Sequence, residues 1–216
     1  MANPLRDSPY ILGAKLGVVG TTLFIAGGMA STSTQFIPAL ISAAQKVPSR
    51  NQNEGSGRLT PQPDVSKQLG IDANTRAAVF SFDGYRAAAQ QFVLMSKTAF
   101  TSQVPAELLT IAVSGYLAYH SYSSRLSNAG YKWAAVAALV ATIFPLTGGM
   151  MVPIDHKIAR LGGDEEKVEP FDDAPPDREM ERMNTVEFLG RWNTLNKVRS
   201  VVMVAAGAVG LWGLVE

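Results

Sequence analysis

The sequence predicts an all-α fold, a membrane-embedded four-helix bundle with an additional amphipathic helix. Three observations carry that expectation. Of the 216 residues, 47% are hydrophobic and only 17% are charged, against about 25% charged in an average soluble domain. The charges are also clumped. Four stretches have none: Leu16 to Gln45, Leu108 to Ser124, Trp133 to Ile154 and Ser200 to Val215. Within them, Ala134 to Ile143 and Val201 to Val215 almost lack the polar residue every third or fourth position that a water-facing helix needs. A helix that is apolar on all sides requires lipid or a large protein around it, and a chain of this length cannot bury four.

A helix rises about 1.5 Å per residue, so crossing a hydrocarbon layer of about 30 Å takes roughly 20 residues. The first and third stretches are long enough outright and give spans at 13–44 and 133–154. The second borrows Phe100 to Ala106 and gives 102–124. The fourth borrows Trp192 to Arg199 and gives 194–215, with Lys197 and Arg199 snorkelling to the interface. Ahead of the second span, Thr75 to Lys97 mixes Phe80, Tyr85, Phe92 and Met95 with Asp83, Arg86, Gln90 and Gln91. That mixture predicts an amphipathic helix lying against the bundle or the headgroups.

The fourth helix is expected to begin at Asn184-Thr185-Val186-Glu187, which reads as a capping box. Gly13 and Gly17 form a small-xxx-small pair suited to close helix contact. Residues 45–74, rich in Pro, Asn, Gly, Ser and Gln, and residues 162–183, rich in Asp, Glu and Pro, read as flexible loops. Residues 1–216 are thus expected to form a single, multi-pass transmembrane domain with both loops on one side. Basic residues near the loops lean that side towards the cytoplasm. No cleavable signal is expected, because the first apolar stretch is too long.

Composition excludes several classes of chemistry. A net charge of +1 offers no basic field for nucleic acid. The absence of cysteine removes disulfides, thiolate catalysis and cysteine-held metals. No P-loop, GxGxxG, GxSxG or HExxH motif occurs.

Polar groups at membrane depth or at its edge are then the candidates. Pro153 is expected to bend the third helix at Val152 and aim Asp155 and His156 at the bundle mouth, where His156 is a general-base candidate and also a plain helix end. Arg191, Trp192, Asn193, Asn196 and Arg199 follow on the fourth helix, with 192, 196 and 199 on one stripe. That stripe presents a ring, an amide and a fixed cation, suited to a flat aromatic molecule and an oxyanion, or to anchoring at the headgroups. Tyr116 and His120 share a face of the second span and read most simply as interhelical bonding or an aromatic belt. Glu107, two residues after Pro105, reads as a first-turn acid stabilised by a helix N-terminus, and Asp83 as a solvated residue. With only two histidines, a two-histidine iron site would need both His120 and His156.

On these residues the chain resembles the small membrane-embedded anthrone oxygenases of fungal polyketide pathways. The resemblance rests on Gly27-Gly28 to Pro38, the amphipathic segment leading into the second span, the Pro153 motif and Arg191-Trp192-Asn193-x-x-Asn196-x-x-Arg199. It covers most of the chain outside the two loops. The last signature also appears in a broader family of four-span proteins, which often has Asn after the proline where this chain has Asp155-His156. The resemblance implies a monooxygenase that oxidises an aromatic polyketide anthrone to its anthraquinone with molecular oxygen as co-substrate. No metal or organic cofactor is implied.

In that reading His156 is the base, with Asp155 as its substitute. Arg199 and Asn196 hold the oxyanion, and Trp192 stacks on the substrate. Asn193, Arg191, Tyr116 and His120 are further substrate-binding candidates. The implied surroundings are membrane lipid of the endoplasmic reticulum, with self-association as a homo-oligomer left open. The alternatives are a non-catalytic scaffold working through the acidic loop, a transporter-like protein of the same four-span family, and a metal-dependent oxygenase.

Overall fold

A computed structural model describes residues 8–45, 84–123, 127–163 and 178–215. The expected loops lie mostly outside the described residues, as do Phe80, Asp83 and the start of the amphipathic segment.

The described residues are helical and form four long rods. The first is α1 (Pro9–Ser31), continued through a π-helical turn at Thr32–Phe36 into α2 (Ile37–Gln45). The second is a single helix, α3 (Gly84–Ser123). The third runs through α4 (Ser127–Ala141), α5 (Ile143–Leu146), a π-helical turn at Thr147–Met151 and α6 (Val152–Leu161). The fourth is α7 (Arg178–Val215). Pro9 opens α1 beside the Ser8 cap, where its missing N–H costs nothing. Pro145 deprives the Ala141 carbonyl of its helical donor, and the third rod breaks just there, at Thr142. Pro153 stands in the first turn of α6, directly after the π turn.

The first and third rods each pack against the second and fourth, and the second and fourth also touch each other. The pairing runs up, down, up, down. Ser200 and Asn196 meet Ala26 and Met29, and Gly207 and Gly210 meet Leu23 and Val19, so the first and fourth rods are antiparallel. Ser96 meets Asp155 and Gln90 meets Gly162, so the second and third are too. Arg199 to Glu107 and Glu181 to Tyr85 make the second and fourth parallel. The chain ends that lead into both long loops therefore gather at one end of the bundle.

Three rods, Pro9–Gln45, Ala129–Leu161 and Glu179–Val215, contain segments long and apolar enough to cross a membrane. Exposed Phe24, Val201 and Trp212 fit lipid contact rather than water.

Four expectations need correction. The amphipathic segment and the second span are one continuous helix, α3, which runs straight through Pro105; tertiary packing on both sides of the proline outweighs its lost hydrogen bond. Asn184 does not cap α7, which already begins at Arg178. Arg199 does not snorkel outwards but is buried among the helices. Gly13 and Gly17 meet nothing that a methyl group would touch. The close approach is elsewhere: a Cβ on Gly207 would lie 2.6 Å from Leu23 Cδ2, and Gly210 and Gly213 press against Val19 and Trp133. These three glycines recur every third residue on one face of α7 and let the rods come close.

Two separate cores result. One holds Val18, Ile25, Met29, Leu117, Trp133, Val140 and Met203. The other, nearer the loop-bearing end, holds Ile37, Leu40, Phe92, Met151, Ile158, Leu189 and Trp192. At that end Tyr85 donates to Glu181 Oε2 at 2.5 Å, with Arg86 Nη2 3.7 Å from the same oxygen. Burial, then the Glu181 carboxylate, push the Tyr85 hydroxyl up to about 12.

Candidate functional site

Where the two cores meet, the rods part around a cavity of about 310 Å³. Its walls are largely apolar side chains, among them Met29, Met95, Phe100, Val104, Phe144, Met151 and Trp192. Both π-helical turns border it, through Thr32 on one side and Thr147, Gly148 and Met151 on the other. A π turn inserts an extra residue into the winding and re-aims the side chains around it. Two such turns facing one cavity account for the widening of the bundle here.

Three charged residues enter this apolar space: Glu107 from α3, Asp155 from α6 and Arg199 from α7. Arg199 Nη2 donates to Glu107 Oε1 at 3.2 Å, with 9% and 2% of the two side chains exposed. Arg199 Nη1 lies 3.7 Å from Met151 Sδ, and its Nε has no hydrogen-bond partner among the described residues. Asp155 Oδ2 accepts from Ser96 Oγ at 2.9 Å. Its other oxygen, Oδ1, and the Trp192 indole nitrogen are both buried without a hydrogen bond of good geometry among the described residues, and the indole N–H stands close enough to this carboxylate to act as a loose donor to it. The Trp192 ring is held edge-on by Phe92, with centroids 5.1 Å apart. The cavity thus holds a carboxylate with accepting capacity to spare, a cation fixed in direction and an aromatic wall.

Of the residues picked from the sequence, Asp155, Trp192, Asn196 and Arg199 line this cavity together. Asn196 supports it rather than offering donors to it: its Nδ2 donates to Met29 O at 3.0 Å and Ser33 Oγ at 2.9 Å. Both amide hydrogens are engaged there, which leaves none for an oxyanion. These bonds tie α7 to the first rod at its π turn. His156 is exposed and lines a neighbouring groove, not the cavity. Adjacent helix residues point about 100° apart, and of the two only Asp155 reaches the cavity as well as the groove. Asn193 is buried outside the cavity lining, its Oδ1 unpartnered among the described residues. Arg191 is exposed and pairs with Glu187 at 2.5 Å.

The Tyr116 and His120 rings meet each other tilted, with centroids 6.0 Å apart. They lie roughly 30 and 36 Å along α3 from Ser96, and so from Asp155. His120 and His156 therefore cannot share a metal ion, which removes the two-histidine iron site considered above. Among the described residues no three His, Asp or Glu side chains gather as ligands.

Sequence reasoning missed Glu107. It is not a first-turn acid: α3 is unbroken around it, and it is buried opposite Arg199. The signal lay in its position. Glu107, Asp155 and Arg199 each border a charge-free stretch, and the antiparallel packing brings those borders to one depth.

No curated protein and no solved structure matches this chain. A family model described as anthrone oxygenase matches residues 92–209, more than half of the 216 residues and all of the cavity apart from the wall given by the first rod. The chain belongs to the anthrone oxygenase family.

Proposed function

We propose that the protein oxidises an aromatic polyketide anthrone to its anthraquinone with molecular oxygen, drawing only on its own side chains. The observation that carries this reading is that the Asp155 carboxylate, held only by Ser96 and loosely by Trp192, lines the same apolar cavity as the Arg199 guanidinium. The cavity's size falls at the low end of the roughly 300–1,000 Å³ usual for small-molecule sites, which suits a flat three-ring substrate.

The bridging CH₂ of an anthrone lies between two aryl rings and is conjugated to the ketone. Asp155 Oδ1 accepts one of its protons, leaving a delocalised anthranolate whose negative oxygen faces Arg199. The anthranolate passes one electron to oxygen. The resulting radical and superoxide combine at the former CH₂ carbon, and the peroxide takes up a proton. Loss of water, with the second hydrogen of that carbon, gives the quinone. One anthrone and one O₂ become one anthraquinone and one H₂O. Trp192, Phe100 and Phe144 supply the surface against which the rings lie, and the apolar walls suit both substrate and oxygen.

In this reading the base is Asp155 rather than His156, and Asn196 positions the first rod instead of binding the oxyanion. The membrane of the endoplasmic reticulum, crossed by all four rods, is the proposed location. The test is quinone absorbance from 1,8-dihydroxyanthrone supplied to membranes or detergent-purified protein. The wild type should exceed the spontaneous rate and Asp155→Asn should fall to it. Equal rates for wild type and buffer would sink the enzyme claim for that substrate.

A further inference from the structure

A second hollow, of about 400 Å³, opens between α3 and α6 beside the cavity. The two share a wall made of Ser96, Phe100, Val152 and Asp155. Its remaining lining includes Phe92, Val93 and Ala159, with Lys97, Thr101 and His156. Asp155 therefore borders both spaces, and Phe100 borders both while being 58% exposed. We propose that this groove is the vestibule through which the planar aromatic substrate leaves the lipid and reaches the cavity, with Phe100 as the side chain it must displace. The inference rests on the function proposed above.

Three features support that occupant. The groove's floor is apolar and aromatic, as a polycyclic ring system requires. The inner cavity is walled by all four rods, and a substrate dissolved in lipid arrives from the side. Lys97 and His156 stand among the groove's lining residues and supply donors for phenolic oxygens on the same molecule. This gives His156 a place in substrate capture, where its exposure suits it, instead of at the reacting carbon.

The absence of cysteine from the chain makes the test clean. Val93, half-buried in the groove and absent from the cavity lining, is replaced as Val93→Cys in the full-length protein. Thr101→Cys, at an exposed position in the same groove, is a second variant in case the first folds poorly. Leu109→Cys, on the exposed side of α3 and in neither hollow, is the control. Each is labelled with N-(1-pyrenyl)maleimide or with the small methyl methanethiosulfonate.

The bulky label in the groove should cut 1,8-dihydroxyanthrone oxidation by at least an order of magnitude, while the small label and the control should leave it near the unlabelled rate. Separately, 1,8-dihydroxyanthraquinone should slow maleimide labelling of the groove thiols several-fold and of Leu109→Cys not at all. A bulky adduct that stays fully active, on a variant whose unlabelled form turns over, overturns the vestibule and leaves the proposed activity standing. Protection by the dye without turnover in any variant supports the groove as an aromatic site and sinks the activity instead. Neither protection nor turnover overturns both.

Discussion

Arg199 and Glu107 form a buried pair whose members need each other more than the bundle needs the pair. Removing one leaves an isolated charge in an apolar wall, at a cost of about 3–5 kcal/mol. Arg199→Ala and Glu107→Ala should each lower the thermal midpoint sharply in detergent. The double replacement by Met at both positions should recover much of that loss while leaving quinone formation at background. Asp155→Asn keeps the size and the Ser96 contact but removes the base, so turnover should fall by about 10²–10⁴-fold with little change in the melting curve. His156→Ala should keep most of the maximal rate.

Tyr85 offers a check away from the chemistry. Its hydroxyl is held up to about 12 by burial and Glu181, above the ordinary value near 10. The folded value is raised, so this contribution is fully present below pH 10 and is lost as pH climbs through the folded value. Ultraviolet titration should show one tyrosine ionising after the others, and Glu181→Gln should bring it earlier. At this scale the sequence disclosed which side chains matter more readily than what they do. Asn196 and Arg199 could be chosen from spacing along one helix, but Asn196's commitment to Met29 and Ser33 depends on a partner more than 160 residues away.

Among the elements, α7 carries at Gly207 the position where an added Cβ would meet its neighbour most tightly of the described glycines. Gly207→Val should drive α1 and α7 apart and cost about 1–3 kcal/mol through overpacking, read as a lower midpoint. Gly13→Ala should be neutral or raise it, since that Cβ enters open space and alanine is the better helix former. The glycine pair was visible in sequence, but its face was not: spacing identifies residues that permit close approach, and only the partner helix decides which of them is used. Pro105 misled for a related reason. A proline marks a weak point in an isolated helix, whereas α3 is clamped on both sides of it, by Phe92 and Tyr85 in one core and Leu117 in the other. Charge-free length, in contrast, is a property of each segment alone, which is why the rods themselves were legible.

As a whole molecule, the bundle is greasy where its charges are absent and should behave accordingly. After an alkaline carbonate wash the protein should stay in the membrane pellet, and it should leave only with detergent; release by the wash would contradict the membrane-embedded fold. The cavity sits at the seam between the two cores, where neither packs fully.

The two π-helical turns at that seam have a further consequence. Each is a single surplus residue accommodated in an otherwise regular coil. Excising Gly148 would let the third rod rewind as ordinary α-helix, and because the π turn already absorbs the surplus, α6 would keep its facing while the wall of Thr147 and Met151 closed in. Asp155 would still look towards Arg199, but into a narrower space, although no charged side chain of the site had been altered. A shortened protein that still folds yet has lost its oxygen consumption would show that the room in the site is set by a residue count rather than by any one functional group.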